Sequence, residues 1–100
     1  MFLIREVMFC KPGMVKPMVE KFKTLGKVLK KQGFKGKIQI LTDLSSERYW
    51  TAIWEMEVES IDNMNEMMKK ASSDPQMANV MKDYHELIVS GRREIYRVEK

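Results

Sequence analysis

Tyr49-Trp50-Thr51-Ala52-Ile53-Trp54-Glu55-Met56-Glu57-Val58 is the segment on which the fold turns. Its even positions, Trp50, Ala52, Trp54, Met56 and Val58, are all apolar, and its odd positions are mixed. Successive side chains of a strand point to opposite faces, so this period of two predicts a β-strand with its even face packed under helices. Downstream, Ser60 and Asp62 suit a helix start, and Ile61, Met64, Met68 and Ala71 keep helical spacing. Ser72-Ser73-Asp74-Pro75 breaks that helix and starts another, with Asp74 as the cap and Pro75 at the first helical position. The second piece is expected to run from Gln76 to Val89 with Met77, Val80, Met81, Tyr84 and Leu87 or Ile88 inward. Ser90-Gly91 is expected to end it, and Arg92 to Glu99 reads as the last strand.

Upstream, Asp43 to Arg48 is a polar turn, and Lys37 to Thr42 reads as a strand with Ile38 and Ile40 on one face. Before it, Met14, Met18, Phe22, Leu25 and Leu29 form one helical stripe, with Lys16, Lys23, Lys27 and Lys30 opposite. Gly33 and Gly36 suit the end of that helix. Phe2 to Phe9 reads as a first strand, closed by the turn signal Lys11-Pro12-Gly13. The order is therefore β-α-β-β-α-β. That is an α+β, ferredoxin-like unit, expected to form one domain over residues 1–100.

Charge is unevenly placed. Residues 11–37 hold nine lysines against one acid, Glu20, a net +8, while residues 38–100 carry a net −4. The lysine face lacks arginine and interleaved aromatics, and the strands carry no RNA-recognition motif, so a solvated helix face is expected and no nucleic-acid partner. A lysine–glutamate pair, Lys16 with Glu20, is available within that helix. No apolar run approaches the roughly 20 residues that span a bilayer, so no membrane partner is expected. Arg5 and Glu6 come too early for a secretory signal, and the single cysteine excludes an internal disulfide; both predict a reducing cytoplasm. No His/Asp/Glu cluster has metal-ligand spacing.

Both faces of the strands carry large side chains. Strand one shows Phe2, Ile4 and Met8 on one side, and Leu3, Val7 and Phe9 on the other. Two helices cover one side only, so the other face is expected to meet a second copy of the chain in a two-fold homodimer. Interspersed charges, Arg5, Glu55, Glu57 and Arg97, would then surround a cavity able to hold a flat aromatic or other hydrophobic molecule.

The opening strand ending in Lys11-Pro12-Gly13, the break Ser73-Asp74-Pro75-Gln76-Met77, and the ending from Leu87 to Val98 resemble the dimeric α/β-barrel superfamily over nearly the whole chain, particularly its small NIPSNAP-like and antibiotic-biosynthesis-monooxygenase-like members. The resemblance implies a homodimer whose sheets form a barrel, with a pocket between sheet and helices in each subunit. Such proteins include cofactor-free oxygenases and heme-degrading enzymes. The latter resemblance implies a helical histidine on iron, an asparagine in strand one and a tryptophan in the second helix. Here His85 sits in the right helix, but strand one has no asparagine and both tryptophans lie in the third strand, so no cofactor is expected.

Two functions stay open. One is a cofactor-independent, monooxygenase-like enzyme acting on an aromatic or polycyclic substrate. Its catalytic candidates are His85, Arg5 and Glu55, and its substrate-binding candidates are Trp54, Tyr96 and Tyr49. The other is a non-catalytic small-ligand-binding or assembly module. The simpler reading of each candidate is structural: His85 at a boundary, Glu55 and Glu57 paired with Arg5, Arg93 or Arg97, the tryptophans in a core, and Cys10 a small buried thiol.

Overall fold

The structure, a computed structural model, describes residues 1–100. The elements are β1 (Phe2–Cys10), α1 (Val15–Lys31), β2 (Ile38–Thr42), β3 (Thr51–Val58), α2 (Ile61–Ala71), α3 (Pro75–Met81), α4 (Tyr84–Leu87) and β4 (Ile88–Arg97). The strands form one sheet in the order β2-β3-β1-β4, and every neighbouring pair is antiparallel. This is the ferredoxin-like α+β arrangement expected from the pattern.

Alternation along the strands decides the two faces. Ile4 faces Met56 and Ile95, and Met8 faces Ala52 and Gly91. Ile4, Cys10, Ala52, Trp54, Met56 and Val58 join Met18, Phe22, Val28 and Leu29 of α1 in one continuous core, which Met64, Ala71, Met77 and Val80 extend toward α2 and α3. The lysines opposite the α1 stripe lie outward, and basic Lys30 and Lys31 close its last turn, where the helix dipole favours cations. Ser60 caps α2 by accepting a 2.9 Å hydrogen bond from the Asn63 N–H. Asp74 caps α3 likewise from Gln76 N–H at 2.8 Å, with Pro75 in the first turn. Asp74 also takes a 2.6 Å ion pair from Lys31, tying the break between α2 and α3 to the end of α1. The Lys31 hydrogen bond, then the Gln76 N–H, hold the Asp74 carboxyl below its usual range.

Three expectations are corrected. Trp50 is not in the strand: its φ is +63°, and its carbonyl accepts from Cys10 N–H at 2.8 Å, so the backbone turns before β3 begins at Thr51. The helical piece from Gln76 does not reach Val89. It ends at Met81, because Lys82 is extended and Asp83 adopts a left-handed conformation, φ +58°. One turn, α4, follows; β4 then starts at Ile88, so Ser90-Gly91 lies inside the strand rather than before it. Met81, expected inward, is exposed as a result. Finally, Glu20 pairs with Lys23 at 3.6 Å, not with Lys16.

Gly91 has a packing reason. A Cβ there would lie 2.9 Å from Met8 Sδ and 3.2 Å from the Val7 carbonyl. A glycine inside a strand often marks such a close approach rather than a stop.

Candidate functional site

Only one face of the sheet is covered by helices. The principal extents are 37 × 34 × 17 Å, a slab two layers deep. Its accessible surface is 6823 Å², whereas a folded monomer of 11.8 kDa is expected to expose about 5,900 Å². The excess, about 900 Å², is close to the roughly 800 Å² that each partner gives to a standard interface.

The uncovered face holds a row of polar side chains running across all four strands. The pairing register sets Gln39 opposite Glu55, Glu55 opposite Arg5, and Arg5 opposite Glu94. Directly opposed side chains on a sheet are close enough to interact. Gln39 Nε2 donates to Glu55 Oε1 at 2.8 Å, Arg5 Nε to Glu55 Oε2 at 2.7 Å, and Arg5 Nη1 to Glu94 Oε1 at 2.7 Å. Arg92 Nε then closes the row on Glu94 Oε2 at 2.8 Å. Burial opposes the Arg5 charge, but hydrogen bonds and charge from Glu55 and Glu94 outweigh it and raise the guanidinium pKa further. The Glu94 carboxyl is lowered, chiefly by its hydrogen bond from Arg92. Every charge in this row is therefore matched.

Apolar groups flank the row. Val7 is buried although it points away from the helices; Ile53 and Arg92 stand opposite it. Phe9 lies under two guanidinium groups, Arg48 at 4.4 Å and Arg92 at 5.4 Å from its ring centre, an arrangement that favours cations over the ring face. Leu41 and Tyr96 are exposed on the same side.

Of the sequence candidates, Arg5 and Glu55 meet in this row, and Tyr96, half exposed, stands two residues along β4 from Glu94, on the same face and opposite Leu3. The other three lie elsewhere. Trp54 points to the opposite face and is 1% exposed, packed 6.0 Å from the Phe22 ring, because even positions of β3 face α1. Tyr49 is 84% exposed in the loop before β3. His85 is on the surface of α4, stacked on Tyr84 at 3.9 Å between ring centres. Glu57 takes no part in the salt bridges, and Arg93 pairs with Glu6 on the helix side of the sheet. That Glu6–Arg93 pair is absent from the sequence reading, because finding it needs the β1–β4 register. Its one sequence signal is a lone acid at an even position of an otherwise apolar strand face.

A concavity of about 460 Å³ lies where the β3 end meets α2, between Phe34, Gly36, Glu57, Asn63 and Met67. Gly36 shapes it: a Cβ there would lie 2.4 Å from Phe34 Cζ and 2.5 Å from the Glu57 carbonyl oxygen. Phe34 can rotate, but the strand carbonyl cannot. Gly36→Ala is expected to lower stability by about 1–3 kcal/mol through overpacking, read by urea denaturation. A neutral result would mean that the 33–37 loop shifts freely.

Cys10 is buried, its Sγ 3.8 Å from the Met8 carbonyl oxygen. Burial, then the Asp43 charge, push the thiol pKa up, the opposite of what a nucleophile requires. The native protein is expected to resist a disulfide-exchange reagent at neutral pH and to react fully once unfolded. Fast native labelling would overturn the buried placement. No group of three His, Cys, Asp or Glu is placed to hold a metal ion, and no helix is long and apolar enough to cross a membrane.

Solved structures give the same architecture. An uncharacterised NIPSNAP domain protein from Burkholderia xenovorans superposes with a TM-score of 0.78 at 9% identity, over 99% of this chain and 95% of that one. A NIPSNAP family protein from Agrobacterium tumefaciens gives 0.79 at 13% identity, over 98% and 92%. The chain shares their fold. An antibiotic biosynthesis monooxygenase gives 0.71 at 8% identity, over 100% of both chains. No protein-family model and no curated protein matches the sequence. Identities this low carry the architecture and nothing of the chemistry.

Proposed function

We propose that the chain works as a homodimer assembled through the open sheet face, and that it is a binding or assembly module holding a small hydrophobic or aromatic molecule between the paired sheets. The observation that carries this reading is the uncovered face. That face carries Phe9, Leu41 and Tyr96 and a charge row already neutral within the subunit, on a chain whose total surface exceeds that expected of a monomer by about 900 Å². A two-fold axis through such a face brings matched charges together rather than like charges alone. Tyr96 supplies a ring and Arg5 a polar group at the rim of the enclosed space.

Binding is favoured over catalysis because Arg5 and Glu55 spend their polar atoms on each other, on Gln39 and on Glu94. A general base needs an acceptor free to take the proton. The second reading, a monooxygenase-like enzyme, draws on the shape shared with the antibiotic biosynthesis monooxygenase along the full chain. In it, Arg5 would stabilise a substrate anion while Tyr96 stacks on its ring, with Glu55, His85, Trp54 and Tyr49 tested beside them as the remaining site candidates.

Native mass spectrometry tests the proposal. The expected species is twice the 11.8 kDa chain mass, and Tyr96→Glu or Leu41→Glu is expected to shift it to monomer. A wild-type monomer at micromolar concentration refutes the assembly. A dimer that retains an aromatic ligand without consuming oxygen supports the module; oxygen uptake lost in Arg5→Met supports the enzyme.

A further inference from the structure

A second, separate concavity runs along the helix side of the sheet, in the seam between α1 and the edge strand β2. One half, about 310 Å³, has an apolar floor of Phe22, Ile38, Ile40 and Trp54 and a rim of Lys23, Lys27 and Lys30. The other half, about 440 Å³, continues past Lys23 along Val15 and Val19 to Trp50. Lys23 lines both, so the two adjoin at that side chain and follow one another along the α1–β2 seam. The part of α1 that borders it, Val15 to Lys30, rises by about 22 Å.

Three features make this trough more than a seam. Gly26 lies mid-helix, where glycine is unfavourable, and its missing side chain keeps the floor open above the Trp54 indole; a Cβ would sit 3.7 Å from that ring. Trp50 closes the far end in a left-handed conformation that bulky residues rarely adopt. Two of the three rim charges are unspent. Lys21 is satisfied by the Asn79 and Lys82 carbonyls and Lys31 by Asp74, yet Lys27 and Lys30 form no salt bridge. The one rim acid, Glu20, is engaged with Lys23 at the middle of the trough.

We propose that this trough binds a free long-chain carboxylate, a fatty acid. Its carboxylate sits between Lys27 and Lys30, and its acyl chain lies over Phe22 and Ile40 past Val19 toward Trp50. The apolar floor selects a hydrocarbon, the unpaired lysines select an anion, and a length of several helical turns selects an extended chain rather than a compact ring. The trough lies on the opposite side of the sheet from the assembly face: Ile38 and Ile40 face α1, whereas Gln39, which also borders the trough, sends its side-chain amide to Glu55 on the open face.

Both tryptophans of the chain border the trough, so their fluorescence reports occupancy directly. The experiment titrates full-length protein with dodecanoate below its micelle concentration, with dodecanol as the uncharged probe. Saturable binding of one dodecanoate per chain is expected, at least tenfold tighter than dodecanol. Lys27→Glu/Lys30→Glu is expected to weaken it at least tenfold, while Lys69→Glu/Lys70→Glu on α2 leaves it unchanged. Equal loss in both double variants, equal binding of dodecanol, or a signal that never saturates overturns the proposal. Circular dichroism confirms that the exposed-lysine variants fold. Native mass read in the same samples separates this outcome from failure of the dimer, which the Lys27 and Lys30 changes leave intact.

Discussion

Trp54→Ala is expected to cost about 4 kcal/mol of stability, a large share of the about 5–15 kcal/mol that a domain possesses. The indole is 1% exposed and is the largest fully buried side chain. It fills the space between β3 and α1, with Phe22 on one side and the Gly26 backbone above. Deleting it removes the transfer free energy of a large ring and leaves a cavity that Gly26 has no side chain to fill. Urea denaturation monitored by circular dichroism reads the loss, and Trp54→Phe is expected to retain a good part of it. A loss below 1 kcal/mol would mean that this ring is not the keystone of the core.

Arg5→Met has the second largest expected effect, about 2 kcal/mol, between an exposed pair and a fully buried one. The Arg5 and Glu55 side chains are 25% and 11% exposed. Methionine keeps most of the stem but removes the donor shared by Glu55 and Glu94. Glu55 is then left with Gln39 alone, partly buried and without a counter-charge. Arg5→Met/Glu55→Gln is expected to recover part of the loss, which would separate the ion pair from simple packing. The variant also changes the acid side of the stability profile. Glu94 has a lowered folded pKa, so its contribution is present above the ordinary glutamate value near about 4.3 and is lost as pH falls through the folded value. With Arg5 gone, one cause of that lowering disappears, and stability is expected to fall less steeply as the pH drops below the ordinary glutamate range. An unchanged acid limb would assign the lowering to Arg92 alone.

The parts of the fold governed by local chemistry were legible. Ser60, Asp74-Pro75 and the Lys11-Pro12-Gly13 turn act where their side chains and ring geometry dictate, because a cap or a proline needs only its own neighbours. Period two on β3 read correctly from Ala52 onward, and failed at Trp50 because hydrophobicity is blind to a backbone that turns over. Lys82-Asp83 escapes the hydrophobic pattern for the same reason. The apolar spacing from Met77 to Leu87 continues across it, while the chain does not. Gly91 looked like a terminator because its function, making room for Met8, depends on a strand 83 residues away. Of the candidate residues, the Arg5–Glu55 pairing could be anticipated as opposite charges on neighbouring strands. Its extension through Glu94 to Arg92 could not, since it rests on the β1–β4 register.

That register also orders events during synthesis and folding. β1 is the central strand, yet its partners are residues 51–58 and 88–97. Contacts between segments so far apart in sequence form late, because a long loop must close before they return any free energy. On the ribosome, residues 2–10 therefore wait, hydrophobic and unpaired, until β3 emerges at residues 51–58, and one of their edges stays open until β4 follows at residues 88–97. Before β4 arrives, one whole edge of β1 offers its N–H and C=O groups to any neighbouring chain. The same strand that organises the finished sheet is thus an open edge while the sheet is being built, and charges within a strand, here Arg5 and Glu6, disfavour pairing with the wrong molecule.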